Sequence, residues 1–374
     1  MLPGPRWPSA LRLGRVLGFR LLLSPSWLLL AVPLTAGYAR LLGPQPGPAA
    51  YAAGLGFLLL LVASVLAHEL GHAFACRRAG IGVRGITLEL LGGYTELDRE
   101  PPGPRVAATV ALAGPAVSLL LGLVGVAGVL LAPRDALVRQ FAFQLALSNL
   151  VVAVFNVLPG LPLDGGRALA ALVWARTGDE HLGNRVAGWA GRALAVACVA
   201  AALLLHVHGV LTFIGAVILL LVAFSVARGA GQAVRVGRFG ARLPMLHAAS
   251  LARPIYRVPT GTSLAEAHRR AAADGADGLI LAVEDTVGTV RALVHPAAAA
   301  AVPVERRPAV AVDTVARGVP ARRVLPAGLR GADVVRAVQA DPGAEYLVAS
   351  GEDVIGVLRG ADVAHVLAAR EISR

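Results

Sequence analysis

The chain has 374 residues, 56% of them hydrophobic, and a mean hydropathy of +0.67, which excludes an ordinary soluble domain and points to several membrane spans. Its 35 basic residues are all Arg and leave a net charge of +12, yet no basic run is interleaved with aromatics, so nucleic acid is not expected as a partner. Two cysteines, Cys76 and Cys198, both in apolar segments, exclude a disulfide framework and a Cys-x-x-Cys metal site.

Arg6, Arg12, Arg15 and Arg20 precede an apolar run, LLLSPSWLLLAVPLTAGYA. A signal peptide has this form, but the run is long enough to cross and further spans follow. Residues 11–23 read as a short β-like approach to a first span. Apolar segments then cover residues 26–43, 55–79, 105–131, 137–158, 185–206 and 209–229, each near the ~20 residues needed to cross hydrocarbon. Residues 163–176 form a shorter helix after a Pro-Gly-Leu-Pro break. Arginines also cluster between the second and third segments (Arg77, Arg78, Arg84, Arg99, Arg105), between the fourth and fifth (Arg167, Arg176, Arg185) and after the sixth (Arg228, Arg235, Arg238, Arg242). The opposite loops carry Arg40, Arg134 and Arg139. By the positive-inside rule both termini are cytoplasmic.

The second apolar segment contains His68-Glu69-Leu70-Gly71-His72. At ~3.6 residues per helical turn, positions i and i+4 share a face and can share a metal ion, with the intervening Glu placed to take a proton from the attacking water. Ionisable groups inside a membrane segment are costly and mark a functional site. A catalytic zinc generally takes three protein ligands. The candidate third ligand is Asp164, in Asn156-Val-Leu-Pro-Gly-Leu-Pro-Leu-Asp164-Gly-Gly at the end of the fourth span. The inferred topology puts both motifs at the cytoplasmic side. A divalent cation, the Asp164 carboxylate and a hydroxide sum to zero charge with both histidines neutral. The alternative reading of Asp164 is a helix N-cap on residues 165–176.

The two motifs together resemble the site-2 protease family of intramembrane zinc metalloproteases. Ala113-Gly114-Pro115-Ala116 and Gly92-Gly93 fit the same pattern, and the resemblance covers roughly residues 10–230. It implies that His68, His72 and Asp164 bind one zinc ion per chain and that Glu69 is the general base, returning its proton to the leaving amine. It implies further that Asn156 hydrogen-bonds the scissile carbonyl or its oxyanion, with Asn149, two turns earlier, as the rival for that role. Ser118 stands where the family often has Asn, and reads as a packing change. Residues 86–97 alternate enough for a strand or hairpin dipping toward the site. Its edge, over Thr87 to Leu91, would pair with an extended substrate by strand addition.

After about residue 240 strand-like patches (278–283, 290–294, 346–349, 354–358) alternate with amphipathic helices (263–273, 332–339). The halves 250–301 and 315–368 look like two copies of one β-α-β-β-α unit. This tail resembles a pair of cystathionine-β-synthase (CBS) domains, which one branch of the family carries. Such pairs bind adenine nucleotides, and Asp362 matches the Asp that contacts ribose; dimerisation or substrate docking is the alternative role.

The expected architecture is therefore a polytopic α-helical membrane protein of about six transmembrane helices, with a short membrane-associated β segment and a C-terminal cytosolic α/β CBS-like pair. Its expected domains are a metalloprotease domain, residues 1–235, and the pair, residues 245–374. The resemblance implies a multi-pass enzyme of a bacterial cell membrane that cleaves a single-pass membrane protein and releases a cytoplasmic regulator. An anti-sigma factor, a pro-sigma factor or a membrane-anchored transcription regulator suits that logic. The rival readings are a catalytically silent regulator that binds membrane segments and a CBS-gated transporter or channel.

Overall fold

The computed structural model describes residues 11–368 except 42, 44, 90, 91, 135, 136, 321 and 322. The chain divides into two compact units, one ending at Arg238 and one starting at Phe239.

The first unit opens with a hairpin, β1 (Leu11–Val16) and β2 (Phe19–Leu23), followed by helices α1 (Ser26–Leu41) and α2 (Pro48–Arg78). A second hairpin, β3 (Val83–Glu89) and β4 (Gly92–Leu97), precedes helices α3 (Pro104–Leu131), α4 (Leu137–Val157), α5 (Asp164–Thr177), α6 (Glu180–Val207) and α7 (Phe213–Arg242). The helix starts follow local chemistry. Proline opens α2 and α3, where its missing N–H costs nothing, and the Asp179 carboxylate accepts from Leu182 N–H to cap α6.

Among the described residues five helices, α2, α3, α4, α6 and α7, are long and apolar enough to cross a membrane. Their outward faces carry Leu120, Leu130, Leu204, Ile214 and Phe224, all more than half exposed, an apolar surface suited to lipid rather than water. The first expected span, residues 26–43, is shorter than the rest. With 16 residues, α1 rises about 24 Å, less than the ~30 Å of hydrocarbon.

The four strands form one sheet in the order β1-β2-β3-β4, with β2 parallel to β3 and the other pairs antiparallel. Both expected β segments are present. One face packs Phe19, Leu21, Ile86 and Leu88 against Leu58 and Ala73 of α2. The pairing edge expected over Thr87 to Leu91 is corrected by this order: β3 is internal, bonded to β2 on one side and β4 on the other, and the edge strand beside it is β4. Leu91 itself lies outside the described residues.

The second unit holds α8 (Ala248–Leu251), β5 (Ile255–Pro259), α9 (Leu264–Ala273), β6 (Ile280–Glu284), β7 (Val290–Val294), α10 (Pro296–Ala300), β8 (Ala316–Gly318), β9 (Val324–Pro326), α11 (Ala332–Gln339), β10 (Glu345–Ser350), β11 (Asp353–Arg359) and α12 (Gly360–Ala368). Its two sheets run β5-β6-β7-β8 and β9-β10-β11. In each the first pair is parallel and the second antiparallel (β5/β6 then β6/β7; β9/β10 then β10/β11). The repeat is therefore structural as well as sequential. Leu293 and Ala282 of the first sheet pack with Leu347 and Val357 of the second.

Candidate metal centre and active site

Helix α2 brings His68, Glu69 and His72 together six to ten residues before its end at Arg78. All three are buried, and so is Asp164, with 5–7% of each residue exposed. Helix α3 faces them with residues at the same helical period. Val110, Gly114 and Ser118 follow one another at i, i+4 and i+8, along one stripe. His72 Nδ1–H donates to the Val110 carbonyl at 2.7 Å, and His68 Nδ1 lies 2.9 Å from Ser118 Oγ. A carbonyl can only accept, so neutral His72 keeps its lone pair on Nε2. Between these contacts sits Gly114, where a Cβ would come within 2.3 Å of His72 Nε2 and 2.7 Å of His68 Nε2. The glycine leaves the space that the two Nε2 atoms face.

Asp164 closes the constellation. Its Oδ2 lies 3.1 Å from His68 Nε2 and 3.2 Å from His72 Nε2, and the two Nε2 atoms are 3.3 Å apart. Two ligands held tetrahedrally at the usual zinc–nitrogen distance of ~2.0–2.1 Å are about 3.3 Å apart. Donor set, spacing and the space beside Gly114 therefore fit a zinc ion. The N-cap alternative for Asp164 fails, because Asp164 is the first residue of α5 and Leu163 holds the cap position with no side-chain bond. Its carboxylate is directed at the histidines.

Glu69 is held from the sheet. Thr95 Oγ1 donates to Glu69 Oε2 at 2.8 Å. On the same strand Gly93 approaches so closely that a Cβ would sit 2.7 Å from Glu69 Cγ. His68, Glu69, His72 and Asp164 line one cavity of about 330 Å³ with Gly93, Thr95, Asn156 and Arg167. Asn156 is half-buried, and its amide has no hydrogen bond to another described residue. Asn149 is buried away from the cavity and donates to Ser64 Oγ at 3.0 Å and to the Leu145 carbonyl at 2.9 Å. It joins α4 to α2, leaving Asn156 as the amide that faces the site.

Several of these roles were not assigned from sequence. The Ala-Gly-Pro-Ala segment and Gly92-Gly93 signalled that their regions mattered, but not that Gly114 clears space for the imidazoles or that Gly93 admits Glu69. Ser118 is corrected from a packing residue to a hydrogen-bond partner of His68. Thr95 carried no signal beyond its place in an alternating segment.

In the tail, Asp362 is engaged by its own chain. Arg253 Nε and Nη2 donate to its carboxylate at 2.6–3.1 Å, and Arg359 N–H donates to Oδ2 at 3.3 Å. The Arg253 guanidinium holds the Asp362 carboxyl below the usual carboxylate range. Asp313 is held down likewise, first by the Gly261 N–H and then by the Thr260 hydroxyl. A cleft of about 600 Å³ lies alongside, lined by Arg253, His268, Arg307 and Arg359.

The membrane-helix unit is similar in sequence to known proteins. The model of peptidase family M50 matches residues 56–144 and 132–201. "Putative zinc metalloprotease sll0528" of Synechocystis sp. is 40% identical over 198 residues, covering 51% of this chain and 51% of that protein. "Putative zinc metalloprotease Rip3" of Mycobacterium tuberculosis is 40% identical over 208 residues, covering 54% and 53%. The chain thus spans about half the length of the curated relatives it matches. The solved site-2 protease from Methanocaldococcus jannaschii aligns over 60% of this chain and 95% of that one, at 24% identity and a TM-score of 0.44. The matched region holds His68, Glu69, His72 and Asp164 alike, so over residues 56–201 this membrane-helix unit is similar to peptidase family M50.

Proposed function

We propose that this chain is a membrane zinc endopeptidase that hydrolyses a peptide bond in or near a transmembrane segment of another membrane protein. The observation that carries the reading is the convergence of His68, His72 and Asp164, from two separate helices, beside Glu69. His68, His72 and Asp164 would hold a zinc ion, which when bound would supply Lewis acidity toward the scissile carbonyl and toward the attacking water. Glu69 takes the proton from the attacking water and returns it to the leaving amine. Thr95 keeps its carboxylate aimed. The Asn156 amide donates to the carbonyl oxygen as negative charge develops there. The edge of β4 receives the unwound substrate as an added strand, next to Glu69. With both termini cytoplasmic, cleavage releases a cytoplasmic regulator such as an anti-sigma or pro-sigma factor. The metalloprotease domain spans residues 1–235 and the CBS-like pair residues 245–374.

A silent regulator would not need Glu69 held by Thr95 beside three converged ligands, and this favours catalysis. The expected result is one zinc per purified chain, lost in Asp164→Ala. Full zinc occupancy in that variant would remove Asp164 from the ligand set.

For the tail, we infer that an adenine nucleotide enters the cleft with its phosphates toward Arg253, Arg307 and Arg359, since Asp362 is committed to Arg253. ATP, ADP or AMP should then raise the thermal midpoint of the full chain. No shift with any of the three would leave dimerisation or substrate docking as the tail's role.

A further inference from the structure

The catalytic cavity does not end at the metal ligands. Pro162 and Arg167 line it, and both also line a neighbouring groove of about 270 Å³ between α5, α6 and α7. Two side-chain amides, Asn184 of α6 and Gln232 of α7, face this groove. The side chains of Arg167 and Gln232, both exposed, and of half-buried Asn184 make no hydrogen bond or ion pair with another described residue. Three hydrogen-bonding side chains of the helical unit thus line a groove that shares Pro162 and Arg167 with the cavity holding Glu69, Asn156 and residues of β4.

Charge singles out Arg167. Among the described residues lining the cavity, Glu69 and Asp164 are the carboxylates and Arg167 is the one permanent cation. It sits one turn after Asp164 on α5, on the same side of the helix. A divalent cation with both carboxylates sums to zero, so a peptide carboxylate brought into the cavity adds an uncompensated negative charge. Near hydrocarbon such a charge is costly unless paired. A guanidinium is the side chain best shaped to pair with it, through two parallel hydrogen bonds.

We propose that Arg167, with Asn184 and Gln232 along the adjoining groove, forms a subsite for an extended peptide segment bearing a carboxylate. The carboxylate is either the C-terminus created by cleavage or an acidic side chain of the substrate. The inference rests on the proteolytic reading and adds to it the class of group read beside the scissile bond.

The test uses the full chain as Glu69→Gln, zinc-loaded and in detergent micelles, with fluorescein-labelled apolar peptides read by anisotropy. One pair of peptides differs only in a C-terminal carboxylate against a carboxamide. A second pair, amidated, differs only in one internal Glu against Gln. In at least one pair the acid should bind about tenfold tighter, the worth of one hydrogen bond to a charged group. Adding Arg167→Gln should cut that preference below about twofold with zinc content unchanged, and Arg167→Lys should keep part of it. A preference confined to the first pair identifies the product terminus, and one confined to the second identifies a substrate side chain. Equal binding within both pairs, a preference that survives Arg167→Gln, or zinc loss in that variant overturns the inference. Glu69-dependent cleavage, measured separately in native membranes, decides the proteolytic reading, so the two failures stay distinct.

Discussion

Thr95 on the edge strand β4 donates a 2.8 Å hydrogen bond to Glu69 Oε2, and so couples the strand that would receive substrate to the carboxylate that would move the proton. Removing the hydroxyl frees Glu69 without touching a metal ligand. Thr95→Val should lower kcat by about tenfold to a hundredfold, the usual cost of a misplaced catalytic group, with zinc content unchanged. Thr95→Ser should stay near the parent. Steady-state kinetics beside zinc analysis checks this, and an unchanged kcat in Thr95→Val would mean that the bond does not position Glu69.

Gly114 makes the sharpest steric prediction. A methyl group there would lie 2.3 Å from His72 Nε2 and 2.7 Å from His68 Nε2, so both rings must move. Gly114→Ala should therefore leave the helices folded and the zinc largely absent, because the displaced rings no longer hold their donors at ligand distance. Parental zinc content in the variant would show that the imidazoles have room elsewhere.

Ser118 tests the second layer of the same site. Partners of a ligating imidazole's other nitrogen typically contribute about 10–100-fold to metal affinity. Ser118→Ala should weaken zinc binding by that amount in a chelator competition, while Ser118→Asn, which retains a polar partner for His68 Nδ1, should not. Equal affinity for all three proteins would return Ser118 to a packing role.

The pH response of the tail follows from Asp362. Its carboxyl is held below the unfolded value of about 3.9 by the Arg253 guanidinium. A depressed folded pKa contributes stability that is present above the unfolded pKa and lost as pH falls through the folded one. The second unit should therefore lose stability below about pH 4, and Asp362→Asn should flatten part of that acid limb. Pulse proteolysis of the full chain from pH 6 downward measures it. An acid limb identical in parent and variant would show that the pair contributes nothing, which its partial exposure makes a real contest.

How much of this was legible in the sequence depends on whether a contact repeats along one element or joins two. His68 and His72 were readable because the helical period alone puts them on one face, and Asp164 because a carboxylate at a broken helix end inside a membrane needs a partner. The tail repeat was readable from alternation and from its two helices, Leu264–Ala273 and Ala332–Gln339. What escaped was the facing surface. Val110, Gly114 and Ser118 keep the same helical period, yet nothing in α3 by itself says that it lies against α2. The free edge of the sheet escaped for a similar reason: β2 runs parallel to β3 across the whole of α1 and α2, a pairing that local alternation cannot announce, and it moved the open edge from β3 to β4. Asn149 and Asn156, two turns apart on α4, were separated only when Ser64 of α2 was seen to take the first.

The most direct test of the central claim compares new protein termini across the membrane proteome of the native cell, with the parent protein and with Glu69→Gln. The proteolytic account predicts termini in or beside transmembrane segments that appear with the parent and vanish with Glu69→Gln. An identical set of termini, with the parent protein present and loaded with zinc, would contradict it.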